Sequence, residues 1–306
     1  MEIDEMDVGI FEFELIVKNE LKLPPYKGSA FRGLFGHALR KTVCVTNMIN
    51  CGGCLLRDNC AYSYIFETTN GRDEKVAHPF IIEPPQTQNS LFPEGDSLKV
   101  KLVLIGKAIE YLPYLIYTFR EMGKIGIGAS RGKFWLKKVK ELISPEHVTI
   151  YDHVQQSVNT GFQRLNLHEI QPIETDHLRL HFITTTAIKV NGRVAKEVDF
   201  VQLLKAIQRR LKSLNFYHSN GNNGVDEFDM DAAKKIEIVA SKIEDMEWQR
   251  YSNRQKTKIS LEGFSGTMEL RGNITPFFPL LKKGELLHVG RGTVYGMGKY
   301  LIETIA

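Results

Sequence analysis

From Phe11 to Val17 apolar side chains fall on every second position, Phe11, Phe13, Leu15 and Val17, with Glu12 and Glu14 between them. A period of two marks a strand with one buried face. Pro24 and Pro25 end it, and the period then changes. Phe31, Leu34, Phe35, Ala38 and Leu39 recur at helical spacing, which predicts an amphipathic helix with Ser29 in place to cap it. Alternation returns over Ser97–Gly106, and a helix is expected over 108–122, where Pro113 fits only in a first turn or at a kink. The glycines of GKIGIGASRG and a strand, KFWLKKVKEL, follow.

The second half repeats this pattern. HLRLHFITTTAIKV (177–190) reads as a strand, and Asp199–Tyr217 as a helix with Leu203, Leu204, Ile207 and Leu211 on one side. A polar loop over 218–229 leads to DAAKKIEIVASKIEDM (231–246), read as a second amphipathic helix. KISLEGFSGTMELRG is expected to form a hairpin, ITPFFPLLKKGELL a short helix, and HVGRGTVYGMGKY a glycine-rich loop into a last strand. A helix, a glycine-rich basic loop and a strand thus occur in that order twice. The expected organisation is two related α+β domains, 1–145 and 176–306, joined by a linker over 146–175 where QQSVNTG is polar.

Composition narrows the class without naming a function. With 42% hydrophobic and 25% charged residues, 306 residues describe a soluble protein able to bury a sizeable core. No run approaches the about 18 apolar residues of a membrane span. MEIDEMD is acidic, unlike a signal peptide, so a cytoplasmic location is expected and no membrane partner. The net charge of +4 includes that acidic start, so the rest is mildly basic and admits an acidic partner.

Three motifs carry chemistry. Opposite the apolar stripe of the first helix fall Gly33, Gly36, His37, Arg40 and Lys41. An internal glycine costs a helix about 1 kcal/mol relative to alanine, so close approach by a ligand is one reading of this face. The other is packing through the glycines with a solvated His37. His37 and Lys41 lie one turn apart and can converge on one phosphate, and Lys27, Gly28 and Ser29 at the helix start favour an anion. Second, Cys44, Cys51, Cys54 and Cys60 lie within seventeen residues with a CGGC knuckle. Disulfides are not expected in a reducing compartment; four thiolates suit a closed structural zinc site in the insert 44–62, with an iron–sulfur cluster or plain reduced cysteines as the alternatives. Third, the loop 288–299 sets Arg291 and Lys299 among Gly290, Gly292, Gly296 and Gly298, and GKIGIGASRGK with Lys124, Arg131 and Lys133 is a weaker copy. Such loops can turn N–H groups toward phosphates. Lys205, Arg209, Arg210, Lys212, Arg250, Arg254, Lys256 and Lys258 read first as solvated charge. His288 is a secondary catalytic candidate, and His177 and His181 share a strand face.

GSAFRGLFGHALRKTVC, CGGCLLRDNCAYSYIFE, FITTTAIKVNGR, LLKAIQRRLKSLNFY, RYSNRQKTKISLEGFSGTMEL and FFPLLKKGELLHVGRGTVYGMGKYLIE span nearly the whole chain. Together they resemble the CRISPR-associated precursor-RNA processing endoribonucleases of the RAMP superfamily, in the branch with a cysteine-bearing segment. The resemblance implies tandem ferredoxin-like domains. It also implies attack of a 2′-hydroxyl on the adjacent phosphate of a CRISPR repeat transcript, without a catalytic metal, leaving 2′,3′-cyclic phosphate and 5′-hydroxyl ends. His37 would then be general base, Lys41 (with Arg40) the charge stabiliser, and Tyr26 an orienting or acid group. Arg32, Arg40, Arg131, Gly290, Arg291, Gly292, Gly296, Gly298 and Lys299 would contact RNA. The alternative within the superfamily is a non-cleaving RNA-binding subunit of a CRISPR effector complex, and the reading leaves room for a homodimer.

Overall fold

The computed structural model of the chain describes residues 6–48, 50–68, 76–219, 227–252 and 257–305. It divides into two compact units, the first running through Asn166 and including the end of a later helix from Phe216, the second made of the remainder.

The first unit contains, in chain order, β1 (Asp7–Val17), β2 (Leu21–Lys22), α1 (Gly28–Val43), α2 (Ala61–Ile65), β3 (Phe80–Glu83), β4 (Leu91–Phe92) and β5 (Ser97–Ile105). α3 (Leu112–Ile125), β6 (Phe134–Glu141), β7 (Thr149–Asp152) and β8 (Leu165–Asn166) follow. The main sheet has the order β3-β5-β1-β6-β7, with β8 beside β1 and β2 paired separately with β4. β1 is central because it pairs on both sides, Val8 through Ile16 against Ile105 through Ser97 of β5, and Phe11 through Val17 against β6. Its alternation therefore does what the period of two demands: Phe11, Phe13, Leu15 and Val17 are buried. α1 and α3 pack together, and they share the core with the sheet. Phe13 stacks on Phe119 of α3 at 4.2 Å, and Phe35 of α1 lies 5.2 Å from Phe80 and 6.1 Å from Phe119. Truncating such a ring to alanine costs about 3–5 kcal/mol. Pro113 sits in the first turn of α3, one of the two places open to it.

The second unit contains β9 (His177–Thr186), β10 (Lys189–Val190), β11 (Arg193–Val194), α4 (Phe200–His218), α5 (Met230–Ala233), β12 (Glu237–Ser252) and β13 (Thr257–Arg271). α6 (Phe278–Leu287) and β14 (Tyr300–Thr304) complete it. Its sheet order is β12-β13-β9-β14. Leu203, Leu204 and Ile207 of α4, Leu281 of α6 and Tyr300 are all buried. Gly284 lets them close, since a Cβ there would fall 2.3 Å from the Tyr300 hydroxyl and 2.8 Å from Ile207.

Each unit is a β-α-β-β-α-β chain whose first strand lies between its third and fourth. The fold is a tandem of ferredoxin-like domains. Three local expectations are corrected. Residues 231–246 form α5 and then most of β12, instead of one helix. β12 is an edge strand whose charges are exposed on both faces, so its period of two is hidden, while Ile236, Ile238 and Ile243 favour extended backbone. KISLEGFSGTMELRG is one arm of a hairpin, not a whole one, because its partner is β12, from Glu237 opposite Arg271 to Ser252 opposite Thr257. The expected linker is partly strand: β7 and β8 join the first sheet, so the chain through Asn166 belongs to that unit. Arg254 and Lys256 lie outside the described residues, as do the side chains of Arg250 and Lys258.

Candidate active site on the first helix

α1 begins at Gly28 with Lys27 as its N-cap and no side-chain cap. Ser29, expected to cap, lies inside the first turn, and its Oγ finds no partner among the described residues. Arg40 and Lys41 occupy the last turn, where the helix dipole favours cations. Phe31, Phe35, Ala38 and Leu39 are buried in the core. On the far side Gly33, His37 and Lys41 are exposed at four-residue steps, so they form one ridge along the helix.

The two interior glycines of this helix, Gly33 and Gly36, have different causes. A Cβ on Gly36 would fall 1.9 Å from the Phe66 ring, so that glycine is a packing requirement. A Cβ on Gly33 would meet nothing within 4 Å. No contact among the described residues explains Gly33, one turn before His37.

Lys41 is steered by a residue that the sequence did not single out. Its Nζ lies 3.3 Å from Glu121 Oε2, while Lys124 Nζ lies 2.5 Å from the other carboxylate oxygen. Glu121 is nearly buried at 7% exposure, and the hydrogen bond from Lys124, then that from Lys41, hold its carboxyl below the usual carboxylate range. Lys41 stays more than half exposed, so its amino group is pinned at one side and open to a ligand at the other. The Glu121–Lys124 spacing in the sequence hinted only at a local ion pair; the reach to α1 is tertiary.

Other expected contributors are placed differently. The Arg32 guanidinium lies 3.9 Å over the Phe66 ring. Arg40 lies 5.7 Å from the Tyr62 ring centroid and donates to the Met48 carbonyl. Both arginines are thus packed on α2 and its surroundings, beside the ridge instead of on it. Lys27 is no anion contact: at 2% exposure its Nζ donates to Thr87 O at 2.7 Å and Pro25 O at 3.3 Å, and burial pushes its pKa down. Tyr26 is half-buried and lies just before α1. The structure brings His37 and Lys41 onto adjacent turns of α1 and leaves Tyr26 two residues ahead of Gly28, where the helix begins.

In the second unit the loop 288–299 is folded tightly on β9. Gly290, Gly292, Gly296 and Gly298 all have positive φ, and a Cβ on Gly298 would fall 1.9 Å from Val289 O. The Arg291 N–H donates to Ala187 O, that of Gly298 to Thr185 O, and that of Lys299 to Thr184 Oγ1. These amides are therefore committed to protein acceptors, and the exposed Arg291 side chain is the group the loop offers outward. His288 is buried with Nδ1 donating to Met297 O at 2.9 Å, which makes it a loop support and corrects its expectation as a catalytic group. In the first unit Gly126 and Gly128 also have positive φ, and Arg131 projects exposed at φ 48°. His177 and His181 share a face of β9 and pair with Glu269 and Glu303.

The four cysteines are free thiols, all half-buried, and all line one pocket of about 250 Å³ together with Tyr62, Tyr111 and Tyr114. Burial pushes the Cys51 thiol up against the opposing charge of Arg40. As the side chains stand, no three histidine, cysteine, aspartate or glutamate groups among the described residues are close enough together to hold a metal ion.

Two profiles cover most of the chain. One, named AF_1859_N and described as an N-terminal domain, matches residues 6–163; the other, described as CRISPR-associated endoribonuclease Cas6, matches residues 180–300. An uncharacterized protein of Archaeoglobus fulgidus is 29% identical over 291 residues, which is 92% of this chain and 93% of that one. Among solved structures, a Cas6 product complex aligns with 97% of this chain and 100% of its own at TM-score 0.58 and 15% identity. A partial Cas6-RT-Cas1–Cas2 complex aligns with 98% of this chain and 46% of its own at TM-score 0.61 and 14% identity. Thermus thermophilus Cas6 gives TM-score 0.56 at 14% identity, over 97% of this chain and 99% of its own. Both ferredoxin-like domains end in helix, glycine-rich loop and strand, the arrangement expected of the RAMP resemblance. The second domain, over residues 180–300, matches the CRISPR-associated endoribonuclease Cas6 family.

Proposed function

We propose that this chain cuts CRISPR repeat transcripts at one phosphodiester, using the exposed ridge Gly33–His37–Lys41 of α1 as its active site. The observation that carries the reading is that ridge: an exposed imidazole and an exposed ammonium one turn apart, beside a glycine that no contact among the described residues explains. RNA backbone lying on α1 would use the missing side chain of Gly33. His37 takes the proton of the 2′-hydroxyl as that oxygen attacks phosphorus. The P–O5′ bond breaks, and the departing 5′-oxygen takes a proton from the Tyr26 hydroxyl or from solvent, leaving a 2′,3′-cyclic phosphate and a 5′-hydroxyl. Lys41, steadied by Glu121, stands by the phosphorane, where the negative charge crowds. The protons and charge are handled by side chains, so this scheme runs without a metal. Tyr26, half-buried just ahead of α1, is the orienting or acid group of this scheme. Arg291 and Arg131 are the exposed cations offered by the two glycine loops to flanking phosphates.

Cleavage of end-labelled repeat RNA without added divalent metal tests this. Native protein yields a cyclic-phosphate end, and His37→Ala binds the RNA but does not cut it. A second reading, a non-cleaving subunit of a larger CRISPR assembly, draws support from the related fold within the Cas6-RT-Cas1–Cas2 complex. It requires tight repeat binding with no cut by the native chain.

A further inference from the structure

Between α1 and α2 the chain runs through residues 44–60 with two single 3₁₀ turns, Cys51–Gly53 and Arg57–Asn59. Its backbone hydrogen bonds are local, Cys54 N to Cys51 O and Cys60 N to Arg57 O among them. Among the described residues of this segment none is buried, and its large apolar side chains face solvent: Val45 at 76% exposure, Leu55 at 99% and Leu56 at 46%. The residues that turn inward are five, Cys44, Cys51, Cys54, Cys60 and Arg57. The segment therefore has an inside, made of the four thiols and Arg57, with Val45, Met48 and Leu56 at the rim of the same pocket. Apolar burial cannot offset the entropy of ordering it. A small segment in this position needs a cross-link or a metal.

We propose that Cys44, Cys51, Cys54 and Cys60 bind one zinc ion as four thiolates, and that this ion is what holds the segment against the end of α1. The thiols already face a common pocket of about 250 Å³. Cys44 and Cys54, ten positions apart, both touch the Thr46 hydroxyl, at 3.9 and 3.6 Å. The side chains are not yet at ligand spacing; with Zn–S bonds of about 2.3 Å the sulfurs must draw together. Exposed turns permit this without disturbing a core. Four like ligands leave no open position, which is the closed arrangement of a structural ion and not a catalytic one. Binding exchanges the thiol protons for the metal and releases them to solvent. Cys44 is the C-cap residue of α1, its N–H bonded to Arg40 O. The ion therefore fastens the segment one turn beyond Lys41.

Nothing in this inference depends on RNA cleavage, and its test is separate. The native chain is purified without chelator, its metals are counted, and its thiols are titrated with a mercurial while released zinc is read with a chromogenic chelator. About one zinc per chain is expected, released in step with the loss of four thiols. Cobalt exchange is expected to give the intense near-ultraviolet charge-transfer bands of thiolate ligation. A Cys51→Ser/Cys54→Ser double variant is expected to lose the metal and to become cleavable by protease between α1 and α2; should it fail to fold, the native stoichiometry decides alone. The proposal is overturned by four freely titratable thiols and no zinc after incubation with the metal, by iron with acid-labile sulfide, or by two disulfides. A chain that holds zinc but cuts no RNA leaves this inference standing and removes the preceding one.

Discussion

Gly33 and Gly36 lie one turn apart or less on the same helix, and alanine at the two positions should act in opposite directions. At Gly33 the added methyl meets nothing within 4 Å, so the variant keeps the helix-propensity gain of about 1 kcal/mol. For a unit of this size that is a rise in Tm of about 2–4 °C. At Gly36 the methyl would fall 1.9 to 2.6 Å from three atoms of the Phe66 ring. That ring cannot swing freely: Arg32 covers it at 3.9 Å, and Tyr62 and Phe80 flank it at 5.3 and 6.4 Å. Overpacking costs about 1–3 kcal/mol, against which the same propensity gain counts, so Gly36→Ala should be neutral to about 2 kcal/mol destabilised. Thermal melts of the two variants check the signs. RNA titration adds the functional half: if RNA backbone lies on the ridge, Gly33→Ala binds repeat RNA more weakly although it is the more stable protein. A Gly33→Ala chain that gains stability and binds and cuts RNA unchanged would refute the assignment of this glycine to RNA approach. A stabilised Gly36→Ala would refute the packing argument.

Arg32→Ala should cost about 0.5–1 kcal/mol of stability through its lost stacking on Phe66, with little change in RNA affinity, as melts and titrations on one preparation will show. Arg291→Ala should do the reverse, leaving Tm unchanged while lowering the slope of log K against log salt by about one contact. Gly298→Ala should destabilise the second unit, because the new Cβ meets Val289 O at 1.9 Å and φ is +75°; a melt of this variant at or above the native Tm would contradict that. Glu121 has a carboxyl held below its unfolded value, so its contribution is complete above the ordinary carboxylate range and is lost as pH falls through the lower, folded value. Melts from pH 6 downward should therefore show the native chain losing stability to acid more steeply than Glu121→Gln.

What the sequence revealed depended on whether an element's periodicity was enforced by burial. β1 and α1 show their periods plainly because one face of each is dry. β12 does not, because an edge strand exposed on both faces carries charges at spacings that also suit a helix. The ridge of α1 was visible as residue types at helical spacing. Three facts about it were not: that Gly36 answers to Phe66, that Arg32 and Arg40 are occupied on aromatic rings, and that Glu121 reaches Lys41 from a residue eighty positions later. Each is a contact across elements, for which local spacing carries no signal. The glycine loop illustrates the same limit. Its glycines read as phosphate cradles, while the fold commits three of the loop's amides to the carbonyls of Thr185 and Ala187 and the hydroxyl of Thr184.

The central claim is that His37 on the exposed face of α1 removes the 2′-hydroxyl proton. It is tested most directly by single-turnover cleavage of end-labelled repeat RNA by native protein and by His37→Ala, with binding measured on the same preparations. The expected result is a single cut ending in a cyclic phosphate, with the rate lowered about 10²-fold or more in the variant and the affinity retained, the range over which one positioned acid–base group contributes. Cleavage at the native rate by His37→Ala would contradict the account.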